Sequence, residues 1–411
     1  MSNARALGLP GYAVFAAMLA SAGLPIYIHA PKFYVDEYGV SLAALGAVLF
    51  GLRLFDFVQD PVLGWLSEAA RNARRRLVAL AVAVMALSMV GLFAVEPPVA
   101  PLLWFAITLT GLFTAFSFLT INFYAQGVRK AGDLGPDGHV RLASWRETGA
   151  LLGVCVAAVV PTALASFTAS PFVMFAAGFV GLAVLAAWVM RREWVATPAA
   201  PETPGFGPVL SDGIARRLLL IALVNATPVA VTSTLFLFFV ESRLAAPGWE
   251  GPLLLLFFLA AAASAPFWGK AAARYGAKQA LLAGMALAIA SFAFAALLGP
   301  GDTLAFAAIC LASGAALGAE LTLLPAIFAR RMARIAPDAG QAFGLWSFVS
   351  KFTLAFAAVT LLPLLDMAGF QAGTTNPATA LTMLTVLYAL VPCALKLIAI
   401  ALLAATPLKE S

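Results

Sequence analysis

The chain has 411 residues, of which 63% are hydrophobic and only 11% are charged, against roughly 25% charged residues in ordinary soluble domains. A water-soluble fold cannot bury so much apolar surface, so the composition excludes a soluble protein and indicates an integral membrane protein. The formal net charge of +6 would suit a nucleic-acid partner only if the basic residues formed one patch. They are dispersed among loops, so we expect no nucleic-acid partner.

Apolar segments of about 20 residues, the length that crosses a bilayer, follow one another along the whole chain. They are predicted at 10–34, 42–66, 77–96, 101–125, 142–163, 168–190, 217–241, 251–269, 279–298, 303–329, 342–366 and 378–405. We therefore predict an all-α polytopic membrane protein with twelve transmembrane helices. The predicted domains are an N-terminal six-helix bundle at 1–190, a cytoplasmic linker at 191–216 and a C-terminal six-helix bundle at 217–411.

The two halves contain similar short loops, "GWLSEAARNARRR" after the second span and "WGKAAARYGAK" after the eighth. A six-plus-six organisation with this repeat is typical of the major facilitator fold, in which two bundles enclose a site near mid-membrane. Most Lys and Arg residues lie in alternate loops, and the positive-inside rule places those loops in the cytoplasm. We expect a monomer in the inner (plasma) membrane, surrounded by lipid, with both termini cytoplasmic.

The second span carries three charges near its middle. Arg53, Asp56 and Asp60 are spaced i, i+3 and i+7, so they share one stripe of a helix. Facing lipid, each would cost about 2.5–3.5 kcal/mol, so the stripe must face protein or water. One interpretation is a structural ion pair, which accounts for only one of the two aspartates. The other is a cation-coupling site, in which Na⁺ or a proton completes the charge.

Three further charged residues lie within or at the ends of later spans. Lys351, in the eleventh span, needs a carboxylate partner, for which Asp56 and Asp60 are the candidates. Glu320, in the tenth span, is predicted to be protonated or paired across helices. Arg146 begins the fifth span, where it either anchors the helix at the membrane surface or reaches inward to bind an anion or hydroxyl.

The segment "YVDEYGVSLAALGAVLFGLRLFDFVQDPVLGW" resembles the first-to-second-span signature of the glycoside–pentoside–hexuronide:cation symporters, the melibiose permease-like family of the major facilitator superfamily. Arg53, Asp56, Asp60, Pro61 and Gly64 fall on this signature. The segments "RLASWRETGALLG", "APFWGKAAARYGAKQALLAG" and "SFVSKFTLAFAA" resemble the family's fifth span, eighth-to-ninth connection and eleventh span. The similarity thus extends over most of the chain.

The resemblance implies a role for each matching residue. Asp56 and Asp60 match the paired aspartates of the family's cation site, Lys351 matches a lysine linked to them, and Arg146 matches an arginine that contacts substrate. Candidate residues fall into three groups. They are Asp56, Asp60, Gln59 and Ser117 for cation coupling, with the two aspartates as Na⁺ ligands; Arg53, Lys351 and Glu320 for a charge network; and Arg146, Thr120, Asn122, Tyr124 and Trp346 for substrate binding.

Two departures from the family bear on the substrate. Ala20 and Thr120 stand where the family has sugar-binding aspartates, which disfavours a galactoside and leaves other solutes open. We predict that the chain is not an enzyme and has no cofactor. We predict a symporter that imports a small organic solute, with sugars and glycosides among the candidates. Na⁺ is favoured over H⁺ as the coupling ion. The alternatives are a proton-coupled exporter or lipid transporter on the same fold, and a scaffold that transports nothing.

Overall fold

The computed structural model describes residues 8–194, 206–336, 339–371 and 376–408, and every regular element within these ranges is helical. The chain divides into two compact units. The first unit contains Met1–Val209 and Met332–Phe348, and the second contains Leu210–Arg331 and Val349–Ser411. Residues 195–205 of the predicted linker lie outside the described ranges.

The first unit contains seven long helices that correspond to the first six predicted spans. They are α1 (Leu9–Ser21), α2 (Leu24–Tyr38), α3 (Leu42–Ala69), α4 (Arg74–Phe93), α5 (Pro101–Gly132), α6 (Gly138–Leu164) and α7 (Pro171–Met190). The first predicted span is divided into α1 and α2, because the backbone of Gly23 is not helical and Pro25 lies in the first turn of α2, where its missing N–H is tolerated. The boundary prediction of one continuous helix over 10–34 was therefore wrong.

The remaining long helices correspond to the last six predicted spans. They are α8 (Gly213–Phe238), α9 (Glu250–Tyr275), α10 (Ala277–Phe292), α11 (Thr303–Ile335), α12 (Gly340–Met367), α13 (Ala378–Thr385) and α14 (Val391–Ala404). A π-helical turn at Val386–Leu390 joins α13 to α14. Helix α12 begins within the first unit and continues into the second.

Length and composition agree with a membrane environment. Ten helices in the described ranges are long and apolar enough to cross a bilayer, and Leu9–Ser21 is a shorter apolar helix. Several helices extend past the predicted apolar segments, as α5 does to Gly132 beyond Arg129 and Lys130. Large apolar side chains also point outward, such as Leu87, which is 70% exposed, as expected for a surface in contact with lipid.

Helices α1 and α6 approach each other closely in the first unit. A Cβ atom added at Gly149 would lie 2.1 Å from the carbonyl oxygen of Ala13, and one at Gly153 would lie 2.5 Å from that of Ala17. Small residues permit this backbone contact, as they do in other membrane helix pairs. The contact fixes the position of α6, which carries Arg146 only three residues before Gly149.

Candidate functional site

The two central aspartates of α3 are buried inside the first unit. Asp60 is 0% exposed and Asp56 is 3% exposed, while Arg53 on the same helix is half-buried. Their common stripe therefore faces protein, as the cost of placing an ionised group in lipid predicted. Ser41 caps the start of α3 by accepting a hydrogen bond from the backbone N–H of Ala44 at 3.2 Å, which favours a helix from residue 42 onward.

Neutral side chains donate hydrogen bonds to both aspartates. The amide nitrogen of Gln59 donates to Asp56 Oδ1 at 2.5 Å, and the hydroxyl of Thr114 on α5 donates to Gln59 Oε1 at 2.9 Å. The hydroxyl of Ser347, in the part of α12 that belongs to the first unit, donates to Asp60 Oδ2 at 2.6 Å. These bonds stabilise carboxylates without contributing positive charge.

Hydrogen bonds link Thr114 to Gln59 and Gln59 to Asp56, and Ser347 bonds to Asp60. Neither Thr114 nor Ser347 was predicted from the sequence. Thr114 lies three residues before Ser117 on α5, and Ser117 is 1% exposed. The helical spacing of these two hydroxyls could have suggested Thr114. Nothing local could have suggested Ser347, which lies 287 residues from Asp60.

The acidic side chains of this cluster are Asp56 and Asp60 on α3. Among the described residues there is no group of three or more His, Cys, Asp or Glu side chains that could hold a metal ion. A cation bound at Asp56 and Asp60 would need further oxygens from neutral side chains. The predicted amide oxygen, Gln59 Oε1, accepts the hydrogen bond of Thr114.

Arg146 is buried within the first unit, which favours the inward interpretation over a surface anchor. Its guanidinium carbon lies 3.7 Å from the centroid of the Tyr124 ring, and its Nε donates to Glu147 Oε1 at 2.7 Å. The Tyr124 hydroxyl donates to the same oxygen at 3.1 Å. The stacking and the ion pair fix the plane of the guanidinium.

Two polar groups of the predicted substrate residues have no hydrogen-bond partner in the part of the chain that the structure describes. They are Arg146 Nη2 and the hydroxyl of Thr120, both of which are buried. A buried donor without an acceptor costs about 1–3 kcal/mol. The arrangement therefore offers a positioned donor to an acceptor on a solute.

The other two predicted substrate residues are placed differently. Asn122 is 1% exposed, accepts a hydrogen bond from Ser67 Oγ at 2.8 Å and donates to the Phe118 carbonyl at 2.8 Å. Its amide thus links α5 to α3. Trp346 is half-buried near the start of α12, in the first unit.

The C-terminal end of α3 also forms hydrogen bonds with the start of α12 within the first unit. Glu68 accepts hydrogen bonds from the backbone nitrogen and the side-chain amide of Gln341, at 2.7 and 2.8 Å. A Cβ atom at Gly64 would lie 3.0 Å from the carbonyl oxygen of Gly340. A carboxylate at the first turn of a helix is favourable because backbone N–H groups there lack helical partners. The sequence analysis noted the loop around Gly64 but not the role of Glu68.

The residues predicted for a charge network are distributed over both units. Lys351 lies in the second unit, half-buried on α12. Glu320 is paired across helices, one of its two predicted states, and its partner is Lys396 on α14 at 2.8 Å. Asn225 on α8 also donates to Glu320 Oε2, at 3.1 Å. The sequence analysis gave Lys396 no role.

The sequence of the chain is similar to a known protein family. The sequence matches the family described as MFS/sugar transport protein over residues 9–410. No curated protein gives a significant match to the sequence.

The fold is similar to those of solved transporters. A bacterial homologue of the iron transporter ferroportin, in an outward-facing state, has a TM-score of 0.72 at 14% identity, covering 97% of this chain and 98% of the other. The E. coli fucose:proton symporter has a TM-score of 0.67 at 13% identity, covering 97% of this chain and 99% of the other. These likenesses confirm the predicted major facilitator fold.

Proposed function

Because the chain belongs to the MFS/sugar transport protein family, we propose that it is a cation-coupled symporter that imports a small organic solute by alternating access. The observation that carries this proposal is the buried pair Asp56 and Asp60, one helical turn apart, with neutral hydrogen-bond donors on both. Ionisable residues inside a membrane protein are costly and mark ion or substrate pathways. Binding and release of a cation in each transport cycle would account for these two buried carboxylates.

Na⁺ is the coupling ion that we propose first. Asp56 and Asp60 would supply two carboxylate ligands, and we propose further oxygens from the Gln59 amide on the same helix and from the buried Ser117 hydroxyl on α5. Lys351 would respond to the charge of this site during the cycle, as the resemblance to the melibiose permease-like family implies. Arg53 on α3 would balance part of the negative charge.

The proton is a second candidate, and one observation favours it. Gln59 directs its amide nitrogen toward Asp56, while its oxygen accepts a hydrogen bond from Thr114. Coordination of Na⁺ by that oxygen would require the amide to turn, whereas protonation of a carboxylate requires no such movement.

Arg146 is the residue that we propose to bind the solute. Its Nη2 is buried and has no acceptor among the described residues. Such a donor favours a solute rich in hydroxyls or bearing a carboxylate. A sugar or sugar acid fits this chemistry, with Tyr124, Thr120, Asn122 and Trp346 as the other contacts that we propose.

We further propose that the chain is a monomer in the inner membrane with both termini in the cytoplasm. The support is the distribution of Lys and Arg among the loops. Reporter fusions at residues 97 and 202 would test the orientation. The reporter at 202 should be cytoplasmic and the reporter at 97 external, and the reverse pattern would contradict the proposal.

The function can be tested with the purified chain in two steps. A thermal-shift screen against Na⁺, Li⁺, pH and a solute library comes first, because a ligand that binds the native state raises its apparent stability. The solutes found are then assayed in proteoliposomes, where an inward Na⁺ gradient should stimulate uptake at fixed pH and membrane potential. Uptake that ignores Na⁺ but follows an inward pH gradient would identify the proton as coupling ion. Outward transport, or transport that ignores both gradients, would reject the symporter proposal.

A further inference from the structure

The second unit contains a pocket that the proposed transport mechanism does not use. It has a cavity volume of about 70 Å³ and is lined by side chains of α8, α9, α10, α11 and α14. Its apolar walls are formed mainly by five side chains: Val229, Phe257, Ile289, Phe292 and Leu317.

A buried ion pair forms the polar end of the pocket. Glu320 and Lys396 both line it, although their side chains are only 4% and 6% exposed. The ammonium of Lys396 lies 2.8 Å from Glu320 Oε2, 2.9 Å from Asn225 Oδ1 and 3.4 Å from the Asn225 carbonyl oxygen. An ammonium has three protons, so these three acceptors use all of them.

The hydroxyls that line the pocket have also used their protons. Ser313 donates to the Ile309 carbonyl at 2.6 Å, and Thr232 donates to the Val229 carbonyl at 3.1 Å. Their oxygens still have lone pairs. Both recorded hydrogen bonds to Glu320 reach Oε2, so Oε1 accepts none from the described residues. These polar groups of the pocket can therefore accept hydrogen bonds but have no proton left to donate.

The net charge of the lining further limits which ligands the pocket can bind. The carboxylate and the ammonium neutralise each other, so an added charged group would be unpaired in an apolar surrounding, which is costly. An acceptor-only ligand, such as a carboxylate, would also find no donor. A neutral group with a hydrogen to donate satisfies both conditions.

We propose that this pocket binds a neutral amphiphile with a hydroxyl head, such as an alkyl alcohol. Its hydroxyl donates a hydrogen bond to Glu320, and its hydrocarbon body lies against the apolar walls. This site is separate from the acidic cluster of the first unit, and its existence does not depend on the coupling ion or on the transported solute.

Cys393 provides a direct reporter, because it lines the pocket and is half-buried. The full chain in lipid nanodiscs is treated with N-ethylmaleimide, with and without 1-octanol, and alkylation of each cysteine is followed by mass spectrometry. We expect 1-octanol to slow alkylation of Cys393 by about threefold when its concentration is about twice its Kd. Cys155, in the first unit, reports any general effect of the alcohol on the bilayer, and its rate should not change.

Octylammonium and octanoate, at matched membrane concentrations, test the chemistry of the head group in the unaltered chain. Neither should protect Cys393. The double variant Glu320→Gln/Lys396→Met keeps the pocket uncharged but adds an amide donor, and protection by 1-octanol should weaken there. Equal protection by either charged amphiphile, equal slowing at Cys155, or undiminished protection in the double variant would overturn the proposal.

Discussion

Asp60 in the first unit and Glu320 in the second are both buried acids, at 0% and 4% exposure, but the donors that contact them differ in charge. Asp60 accepts a hydrogen bond from the hydroxyl of Ser347 at 2.6 Å, whereas Glu320 accepts one from the ammonium of Lys396 at 2.8 Å. A hydroxyl stabilises a carboxylate without adding charge, while an ammonium also neutralises it. In the proposed function Asp60 is an acid that exchanges a cation, whereas Glu320 and Lys396 form a buried ion pair.

Removal of the charge of Asp60 gives the largest expected effect. Asp60→Asn should lose both the thermal stabilisation by Na⁺ and the gradient-driven accumulation of solute, because the exchanged cation loses a carboxylate ligand. Thermal shift and proteoliposome uptake measure the two effects. Asp36→Asn is the control, since Asp36 forms an exposed ion pair with Lys32. Accumulation in Asp60→Asn at the level of the unaltered chain would remove the distinction between the two acids.

The pair in the second unit should behave as one structural element. Lys396→Met leaves Glu320 buried without its counter-charge and should destabilise the protein by about 3–5 kcal/mol. The double variant Glu320→Gln/Lys396→Met removes both charges and should regain most of the lost stability. The midpoint of thermal unfolding measures both. A single variant as stable as the unaltered chain would show that the pair has no structural role.

Ser347→Ala tests the neutral donor to Asp60. A hydrogen bond to a charged group contributes about 1.5–3 kcal/mol, so the midpoint of thermal unfolding should fall by less than in Lys396→Met. Ser291→Ala is the matched control, because the Ser291 hydroxyl only bonds the carbonyls of its own helix. An equal loss in the two serine variants would count against the contact with Asp60.

Thr114→Val should have the smallest effect of the four. The substitution preserves shape and removes a hydrogen bond between two neutral groups, Thr114 and Gln59, which contributes about 0.5–1.5 kcal/mol. The midpoint of thermal unfolding should therefore fall by less than in Ser347→Ala. A larger fall would mean that Thr114 supports Asp56 through the orientation of Gln59.

The fold was predictable because each membrane helix requires a segment of a certain length and low polarity, and such segments are visible in the sequence. Eleven predicted spans correspond to helical segments of the structure, and the exception, the divided first span, contains Gly23 and Pro25, whose meaning depends on local backbone geometry. The stripe of Arg53, Asp56 and Asp60 was predictable because its members share one helix. Its burial follows from the cost of charge in lipid.

The partners of these charges were not predictable from one sequence. Asp60 and Ser347 are 287 residues apart, Glu68 and Gln341 are 273 apart, and Glu320 and Lys396 are 76 apart. Hydrogen bonds between helices depend on how each helix is rotated and how deep it lies, and no local pattern specifies either. Lys396 was therefore left without a role, although a partner on another helix was one of the two states expected for Glu320.

During biosynthesis, α1 enters the membrane well before α6, the helix against which it packs through Gly149 and Gly153. At translation rates of about 5–20 residues per second, the delay is on the order of 10 s. Helix α1 has only 13 residues, and together with α2 it forms the divided first span. Its contact with α6 can therefore form only after the fifth span has been synthesised. A ribosome that stalls before Gly149 would leave a nascent chain whose first helix lacks this contact.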